Sequence, residues 1–430
     1  MLSKKVLSFK DRSLKGNISV PGDKSISHRA VMFGSLAKGE TRITNFLAGE
    51  DCLSTIAAFQ AMGVDIVRNN DSVQIQSQGI KGLKEPAEPI NLGNSGTTAR
   101  LLMGILAGLP YHFTLYGDAS LSKRPMDRIT NPLKQMGAKI DGRENGRLLP
   151  ISIRGGNLNP IHYHTPMKSA QVKSGVLLAG LLTDGTTVVT EDTKTRDHTE
   201  NMLKAFGAKL NVNGTEVTVE GNKPLTACDI EVPGDISSAA FFLVAAAVTA
   251  GSEVKITNVG LNQTRTGIID VLQLMDVDIT VKEDRIVGGE PIGDIVVKSS
   301  KPKAAVIEGD IIPRIIDEIP IIALLATQAE GKTVIKDAKE LRFKETDRIE
   351  SVVSTLKALG AEIEATEDGM IITGGTKLHG GVTNSYGDHR IGMMIAIASL
   401  LIEEEVELID DKCIAVSYPG FFEDLDKLSH

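Results

Sequence analysis

Six stretches of the chain are apolar on nearly every face of a helix, which predicts six buried helices. Each is followed by a short strand pattern, a second helical pattern and two alternating segments, as in AKLNVNGTEVTVEG, where Asn213-Gly214 marks a hairpin turn. The pattern therefore predicts six copies of one repeat unit, which begins with a strand and a polar or glycine turn. The apolar stretches are AVMFGSLAKGE, ARLLMGILAGLP, VLLAGLLTDG, AAFFLVAAAVTAG, IPIIALLATQAEG and GMMIAIASLLIEE.

The second helices of these units end alike. A glycine just after a helix commonly takes the left-handed conformation that ends it. We therefore predict helix ends at four such pairs, and Met275-Asp276 is the one departure. The pairs are Met62-Gly63, Met136-Gly137, Phe206-Gly207 and Leu359-Gly360.

The repeat period also bears on the domain organisation. At about 70 residues it exceeds the about 20–50 of common solenoid repeats, which favours a few globular bodies. A chain of 430 residues is expected to form two domains. The sixth unit lacks its last hairpin strand, and the N-terminal VLSFKDRSLKG resembles the missing piece. We predict an α/β (α+β) protein with a discontinuous terminal domain, residues 1–19 plus 232–430, and an inserted domain, residues 20–231, each of three units.

Composition narrows the function classes. A net charge of −8 and 4% aromatic residues without tryptophan argue against nucleic-acid binding. Cys52, Cys228 and Cys413 form no metal-ligand pair and no disulfide framework, which fits a reducing cytoplasm. The N-terminus has no apolar segment of a signal peptide, and the longest apolar run, Ala239–Ala250, is too short to span a bilayer. We expect a cytoplasmic protein without nucleic-acid or membrane partners.

The turns before the apolar helices carry the candidate chemistry. In the first, Gly22–Arg29, the apolar helix pattern starts only near Ala30, and free backbone N–H groups with Lys24, Ser25 and Arg29 suit an anion. The fourth, Pro233–Ser238, echoes the first without its cations. If the units are equivalent, several helix N-termini point toward one cleft. The other turns are Leu92–Arg100, Met167–Lys173, the turn with Asp317-Glu318, and Gly387–Arg390.

Further cations cluster before or within the second helices, at Lys123–Arg128, Arg196 and Lys344–Arg348. Arginine suits bidentate binding of carboxylate or phosphate. Asp317 and Glu345 lie near these cations and are candidate proton carriers. Taken alone, Asp317 is equally suited to cap the helix that begins at Ile319.

The whole chain resembles the 5-enolpyruvylshikimate-3-phosphate (EPSP) synthase family, and two of its motifs resemble the class II branch. The resemblance implies two domains of three βαβαββ units each (the enolpyruvyl transferase fold, an inside-out α/β barrel), with the active site in the interdomain cleft and domain closure on substrate. It also implies a monomer without metal or organic cofactor. The matching stretches are PGDKSISHRA, LGNSGTTARLL, GDASLSKRPMDRI, SAQVKS, TRDHTENM, PGDISSAAFF, FKETDRI and GDHRIGM.

The reaction implied by the resemblance is transfer of the enolpyruvyl group of phosphoenolpyruvate to the 5-hydroxyl of shikimate 3-phosphate, with release of phosphate. It proceeds by addition and elimination through a tetrahedral intermediate, in the shikimate pathway. By motif match Asp317 is the candidate base at the 5-hydroxyl, and Glu345 and Lys24 are candidates for the methyl proton and the leaving phosphate. Phosphoenolpyruvate would contact Arg124, Arg348 and Arg390 with Lys24, Gly96 and Gln171; shikimate 3-phosphate would contact Ser25, Arg29, Ser169, Arg196 and Lys344; further substrate contacts are expected at Asn94, Thr97, Ala170 and His389.

Some positions depart from the enterobacterial pattern, which has asparagine, lysine and a second serine where this chain has Glu340, Val416 and Ala170. Part of the phosphate shell is therefore unassigned. For the herbicide glyphosate, Gly96 indicates sensitivity and the class II pattern indicates tolerance, so the sequence decides neither.

Three alternatives remain at this stage. A UDP-N-acetylglucosamine enolpyruvyl transferase shares the fold but usually carries a reactive cysteine on the loop that here reads Ala119–Ser122. An RNA-terminal phosphate cyclase is disfavoured by the acidic balance and the missing nucleotide signature. A non-catalytic anion binder would leave Asp317 and Glu345 unexplained.

Overall fold

The computed structural model describes residues 3–9 and 12–429, so residues 1, 2, 10, 11 and 430 of the predicted terminal domain lie outside the described residues. The helices of the described chain, apart from short 3₁₀ turns, are α1 (Lys24–Leu36), α2 (Glu50–Ala61), α3 (Gly96–Ala107), α4 (Asp127–Gln135), α5 (Ala170–Leu181), α6 (His198–Ala205), α7 (Ile236–Val248), α8 (Gly267–Leu274), α9 (Ile312–Ile315), α10 (Ile319–Thr327), α11 (Arg348–Ala358), α12 (His389–Ala398) and α13 (Phe421–Leu428).

The strands of the described chain are β1 (Lys4–Leu7), β2 (Lys15–Ile18), β3 (Lys38–Thr44), β4 (Asp65–Asn69), β5 (Ser72–Gln78), β6 (Ile90–Asn91), β7 (His112–Tyr116), β8 (Lys139–Arg143), β9 (Leu148–Arg154), β10 (His162–His164), β11 (Thr186–Thr190), β12 (Leu210–Asn213), β13 (Glu216–Glu220), β14 (Ile230–Glu231), β15 (Glu253–Gly260), β16 (Ile279–Val287), β17 (Glu290–Lys298), β18 (Val306–Ile307), β19 (Lys332–Ile335), β20 (Glu362–Ala365), β21 (Met370–Thr373), β22 (Gly381–Asn384) and β23 (Val406–Ile409).

Five of the six sheets in the described chain repeat one pattern, which is the structural form of the sequence repeat. Their orders are β14-β3-β5-β4, β6-β7-β9-β8, β10-β11-β13-β12, β2-β15-β17-β16 and β18-β19-β21-β20. In each, the first two strands run parallel, and the second and third run antiparallel. In three of these sheets, β6-β7-β9-β8, β10-β11-β13-β12 and β18-β19-β21-β20, a helical segment joins the two parallel strands as the repeat predicts, and in all five the last two strands are consecutive in the chain.

The sixth sheet is completed by the N-terminus. Its order is β22-β23-β1, and β1 pairs antiparallel with β23 from Lys4 opposite Ile409 to Leu7 opposite Val406. The N-terminal strand therefore completes the sheet of the sixth repeat, and it overlaps the predicted piece at Val6 and Leu7; residues 10 and 11 of that piece lie outside the described residues. In the same way β2, which precedes the first turn, pairs with β15, whereas β14, which precedes the fourth, pairs with β3. The strands that precede the first helices, β2 and β14, are therefore exchanged between the first and fourth repeats.

The contacts divide the described chain into two compact bodies, named unit 1 and unit 2, each of which contains several of the six repeats. Unit 1 contains the described residues of Met1–Pro21, with Pro233–Arg285 and Pro291–His430, and unit 2 contains Gly22–Val232 with Ile286–Glu290. Each has its own apolar core. Helices that are apolar all round lie inside these cores: every residue of Ile319–Thr327 is buried, as is every residue of Ile236–Ala247. The prediction of buried first helices is confirmed for these segments.

The second helices end in the predicted backbone conformation. Gly63, Gly137, Gly207 and Gly360 have φ between +80° and +102°. Asp276 takes the corresponding position with φ +60°, a value that aspartate tolerates better than most residues. The aspartate in the fourth copy therefore preserves the turn.

The first helices begin earlier than the apolar pattern indicated. Helix α1 starts at Lys24 rather than near Ala30, because the Asp23 carboxylate accepts a hydrogen bond from the Ile26 N–H at 2.9 Å and caps the helix. Ser95 and Asp388 cap α3 and α12 in the same way. The candidate site residues consequently lie in the first turns of helices as well as in the preceding loops.

Candidate active site

Within unit 1, a group of charged side chains surrounds Asp317, two residues before α10. The Asp317 carboxylate lies 3.1 Å from Arg348 Nη1 and 3.5 Å from Lys344 Nζ, and its main-chain oxygen accepts from Arg390 Nη1 at 3.0 Å. The cap residue of α10 is Glu318, so Asp317 does not cap the helix. Its carboxylate is held between cations instead, and it is 13% exposed.

Arg348, the first residue of α11, is buried at 1% exposure although it is charged. Besides Asp317, its guanidinium contacts Asp388 Oδ2 at 2.8 Å and Glu345 Oε2 at 2.6 Å. Burial alone would lower the pKa of Arg348, but Asp388, Glu345 and Asp317 outweigh it and hold that pKa above its ordinary value. A substrate anion at Arg348 would compete with these three carboxylates.

Asp388 links two parts of this group, and sequence reasoning did not include it among the site residues. It is fully buried, caps α12 through the Arg390 N–H at 2.9 Å and binds Arg348. His389 and Arg390 follow it as the first residues of the buried α12. The GDHR motif was the available signal, since aspartate there precedes an apolar helix, but nothing local to the motif indicates the partner on α11.

Within unit 2, Lys24 at the start of α1 forms an ion pair with Asp51 Oδ2 in the first turn of α2, and both side chains are mostly buried. Asp51 is a second residue that sequence reasoning missed. Ser25, the next residue, accepts from Arg29 Nη1 through its main-chain oxygen at 2.9 Å. Lys24 is therefore held at the positive end of α1 by a carboxylate.

Gly96 begins α3 beside two guanidinium groups. A Cβ atom at this position would lie 3.3 Å from Arg100 Nη1 and 3.4 Å from Arg124 Nη1. Arg124 donates to Asn94 Oδ1 at 2.6 Å. Arg100 donates to Gln171 Oε1 at 2.5 Å, and Gln171 donates to Thr97 Oγ1 at 3.0 Å, which joins α3 to α5. Arg100 belongs to the second turn but was not among the predicted contacts.

Arg29, on α1, contacts side chains of α5 and α6. Its guanidinium donates to Thr199 Oγ1 at 2.7 Å and to Ser174 Oγ at 3.0 Å. Burial lowers its pKa to about 10, against the raising effect of Glu200, and the positive charge of Arg196 lowers it further. Two cations close enough to disfavour each other suit an anion between them. Ser169 and Ala170 stand at the start of α5.

The fourth turn, predicted to lack cations, receives one from another element. Arg265, just before α8, places Nη2 3.2 Å from Asp235 Oδ1 and 2.5 Å from Ser237 Oγ, and Ser237 donates to Glu318. All four side chains are buried. The signal was present in the sequence, because Thr264-Arg265 repeats the Thr195-Arg196 pair of the preceding unit.

A buried hydroxyl chain connects the helix starts of unit 2 to His28. His28 Nδ1 lies 2.7 Å from Thr55 Oγ1, which lies 2.8 Å from Thr98 Oγ1, and Thr98 Oγ1 donates to Ser95 Oγ at 2.7 Å. Burial lowers the pKa of His28 to about 3; Asp51 raises it, and Lys24 and Arg29 lower it. His28 is therefore neutral in the folded chain near pH 7.

This neutral histidine predicts an acid-sensitive stability. The unfolded chain gains a proton on His28 below its ordinary pKa of 6.5, whereas the folded chain does not until about pH 3, so stability present above pH 6.5 is lost as the pH falls. Between pH 7 and pH 5 we expect the unfolding free energy of the parent chain to fall by about 2 kcal/mol more than that of His28→Gln. Denaturant unfolding at both pH values measures this. Equal losses in the two proteins would contradict it.

Among residues 3–9 and 12–429 no group of three or more His, Cys, Asp or Glu is arranged to hold a metal ion. None of the helices described here is long and apolar enough to cross a membrane.

Comparisons with known proteins match the chain over nearly its full length. The family model for EPSP synthase (3-phosphoshikimate 1-carboxyvinyltransferase) matches residues 10–425. The 3-phosphoshikimate 1-carboxyvinyltransferase of Bacillus cytotoxicus is 57% identical over 419 residues, covering 97% of this chain and 99% of that protein. The one of Bacillus licheniformis is 58% identical over 418 residues, covering 97% and 98%.

Solved structures agree with this. The EPSP synthase from Acinetobacter baumannii superposes with a TM-score of 0.89 at 45% identity, covering 100% of this chain and 98% of that one. The enolpyruvyl transferase NikO from Streptomyces tendae reaches 0.80 at 18% identity, covering 100% and 98%, which shows a shared fold. The predicted fold class is thereby confirmed, and the chain belongs to the EPSP synthase (3-phosphoshikimate 1-carboxyvinyltransferase) family.

Proposed function

We propose that this chain transfers the enolpyruvyl group of phosphoenolpyruvate to the 5-hydroxyl of shikimate 3-phosphate and releases phosphate. The relatives' names give the reaction, and the arrangement around Asp317 is the observation in this chain that carries it. A carboxylate held by Arg348 and Lys344 is a base beside an anion site, which is what deprotonation of a hydroxyl next to a bound phosphate requires.

The proposed chemistry has two stages. In the addition, the 5-hydroxyl oxygen bonds to C2 of phosphoenolpyruvate, Asp317 takes the hydroxyl proton, and the C3 methylene gains a proton. In the elimination, the C2–O bond to phosphate breaks and C3 loses a proton. Glu345 and Lys24 are the groups we assign to the C3 proton and the leaving phosphate. No step needs an oxidant or reductant.

The cations divide between the two anionic substrates. We assign phosphoenolpyruvate to Arg124, Arg348 and Arg390. The carboxylate of phosphoenolpyruvate would compete with Glu345 and Asp317 for Arg348. The side-chain carboxylate that it displaces would then be available for proton transfer. We assign shikimate 3-phosphate chiefly to Arg29, Arg196 and Lys344. Supporting contacts are proposed at Ser25, Asn94, Gly96, Thr97, Ser169, Ala170, Gln171 and His389.

The experiment that tests the function is phosphate release from phosphoenolpyruvate, run in parallel with shikimate 3-phosphate and with UDP-N-acetylglucosamine. We expect release with the shikimate substrate alone. Release with the nucleotide sugar alone would assign the chain to the sister reaction. The absence of release with either acceptor would contradict the proposal.

The crowding at Gly96 yields a specific prediction for phosphoenolpyruvate. Because an added methyl would meet Arg100 and Arg124 at 3.3–3.4 Å, Gly96→Ala forces these guanidinium groups to move. We expect the KM for phosphoenolpyruvate to rise about fivefold, equivalent to about 1 kcal/mol, with the KM for shikimate 3-phosphate unchanged. Steady-state kinetics with each substrate varied measures this.

The matched control is Gly420→Ala, because a Cβ there would meet only the end of the Glu423 side chain at an ordinary 3.6 Å. Both KM values should be unchanged in this variant. A rise in both KM values for Gly96→Ala would indicate general damage to α3 and contradict a local effect on the guanidinium groups.

A further inference from the structure

Lys173 belongs to the third turn stretch, which the sequence suggested as a source of anion-binding groups, yet its ammonium group does not face solvent. It lies within α5 and is 1% exposed. Lys173 Nζ contacts Glu191 Oε2 at 2.8 Å and Glu200 Oε1 at 2.8 Å. Its charge is thus committed to two buried carboxylates, which raise the pKa of Lys173 against the lowering effect of burial.

One of these carboxylates holds the loop between β11 and α6. Glu191 accepts hydrogen bonds from the Thr195 hydroxyl and from the Thr195 N–H, the latter at 3.3 Å. Lys173 itself donates to the Thr195 main-chain oxygen at 3.4 Å. The hydroxyl, N–H and carbonyl of Thr195 are therefore all bound to the same two buried side chains. Such complete fixation is unusual for a loop residue, because loops normally bond to solvent.

The residue fixed in this way immediately precedes Arg196. Arg196 is partly exposed, and its positive charge lowers the pKa of Arg29. Arg29 is itself hydrogen-bonded to Thr199 on α6. A long arginine side chain binds an anion better when its backbone is already in place, because less conformational freedom is lost on binding. Fixing Thr195 is therefore a means of fixing the start of the Arg196 side chain.

Stability alone gives a weak reason for this arrangement. Burying an ammonium and two carboxylates carries a desolvation cost, and apolar replacements of buried ion pairs are often neutral or stabilising. Val172, Val176 and Leu177 of α5 are apolar and fully buried, so an apolar side chain at position 173 would match these neighbours. The ionic group connects α5 to the loop at Glu191 and Thr195, and to α6 at Glu200.

We propose that Lys173 is a positioning residue for substrate binding, which acts through Glu191 and Thr195 to place Arg196 against the phosphate of the acceptor substrate. This rests on the proposed function, in which Arg196 binds shikimate 3-phosphate. Lys173 touches no substrate in this role. Its effect appears in the affinity for one substrate and leaves the chemical step unchanged.

Glu191→Gln and Glu200→Gln form a matched pair that tests the proposal. Each removes one negative charge next to Lys173, but only Glu191 contacts Thr195 in the described structure. We expect Glu191→Gln to raise the KM for shikimate 3-phosphate about tenfold, equivalent to about 1.4 kcal/mol, with kcat and the KM for phosphoenolpyruvate within about twofold. Glu200→Gln should leave all three within about twofold. Equal effects of the two variants, or none from Glu191→Gln, would overturn the proposal.

A double-mutant cycle with Arg196→Gln separates positioning from general damage. If Glu191 acts through Arg196, Glu191→Gln has no further effect on the KM for shikimate 3-phosphate once Arg196 is replaced. Additive effects would show that Glu191 acts independently of Arg196 and would overturn the proposal. If Glu191→Gln does not fold, Thr195→Val, which is nearly isosteric and changes no charge, takes its place in the cycle with the same expected result. Failure of the parent chain to release phosphate with shikimate 3-phosphate would instead refute the proposed function.

Discussion

Replacement of Asp317 by asparagine is expected to lower kcat for phosphate release by about a thousandfold, the middle of the range for loss of a general base. The asparagine oxygen can still accept from Arg348, and Asp388 and Glu345 still neutralise that arginine, so the fold of unit 1 and the binding of both substrates should persist. Steady-state kinetics with calorimetric titration of shikimate 3-phosphate measures both effects.

Asp276→Asn is the matched control, since it removes one carboxylate from the same unit at an exposed ion pair with Lys303. Asparagine tolerates the left-handed conformation that Asp276 adopts, and kcat should be unchanged. An Asp317→Asn variant with kcat within tenfold of the parent chain would exclude Asp317 as the base. A variant that no longer binds shikimate 3-phosphate would assign Asp317 to substrate binding instead.

The sequence predicted those features of the fold that depend on local patterns. Buried helices such as Ile319–Thr327 follow from an apolar surface on every side, and the turn at Gly63 follows from the conformational freedom of glycine. The N-terminal stretch VLSFKDRSLKG could be assigned to the sixth repeat because the repeat revealed a missing piece, and the strand Lys4–Leu7, which overlaps its first two residues, pairs with Val406–Ile409. Each of these inferences needs only a short stretch of chain or a comparison between stretches.

Contacts between distant residues were beyond such reasoning. Motif matching identified Arg348, but the sequence did not show that Asp388, 40 residues later, would pair with it. Likewise the third turn stretch, Met167–Lys173, ends in a lysine to which the sequence assigned no role, and the structure turns its ammonium group toward Glu191 and Glu200. The direction in which a helical side chain points depends on which face packs against the core. In a helix that is apolar on every side, periodicity does not identify that face.

The cation of the fourth repeat is a second example of a contact between distant residues that the sequence does not reveal. The turn at Asp235–Ser238 contains no lysine or arginine, and its cation, Arg265, comes from the start of the next helix. Comparison of Thr264-Arg265 with Thr195-Arg196 could have indicated an arginine here. The comparison alone could not have shown that Arg265 is buried against Asp235 and Ser237, whereas Arg196 is partly exposed.

The second large effect is expected at Lys24, where Lys24→Met should lower kcat/KM for phosphoenolpyruvate by about a thousandfold. The ammonium group stands in the first turn of α1, where its charge adds to the positive end of the helix, and loss of such a stabilising group costs about 10²–10³-fold in rate before binding is counted. Methionine retains most of the apolar stem. Progress curves at limiting phosphoenolpyruvate measure the change.

A structural explanation of this loss must be separated from a chemical one, because Lys24 forms an ion pair with the mostly buried Asp51. The double variant Lys24→Met/Asp51→Asn removes both charges, so its thermal stability should return toward that of the parent chain while its activity stays low. Lys209→Met, at the exposed pair with Glu220 in the same unit, should leave activity unchanged. If the double variant recovered activity together with stability, Lys24 would serve only to hold α1 and α2 together, and its assignment to the C3 proton or the leaving phosphate would be wrong.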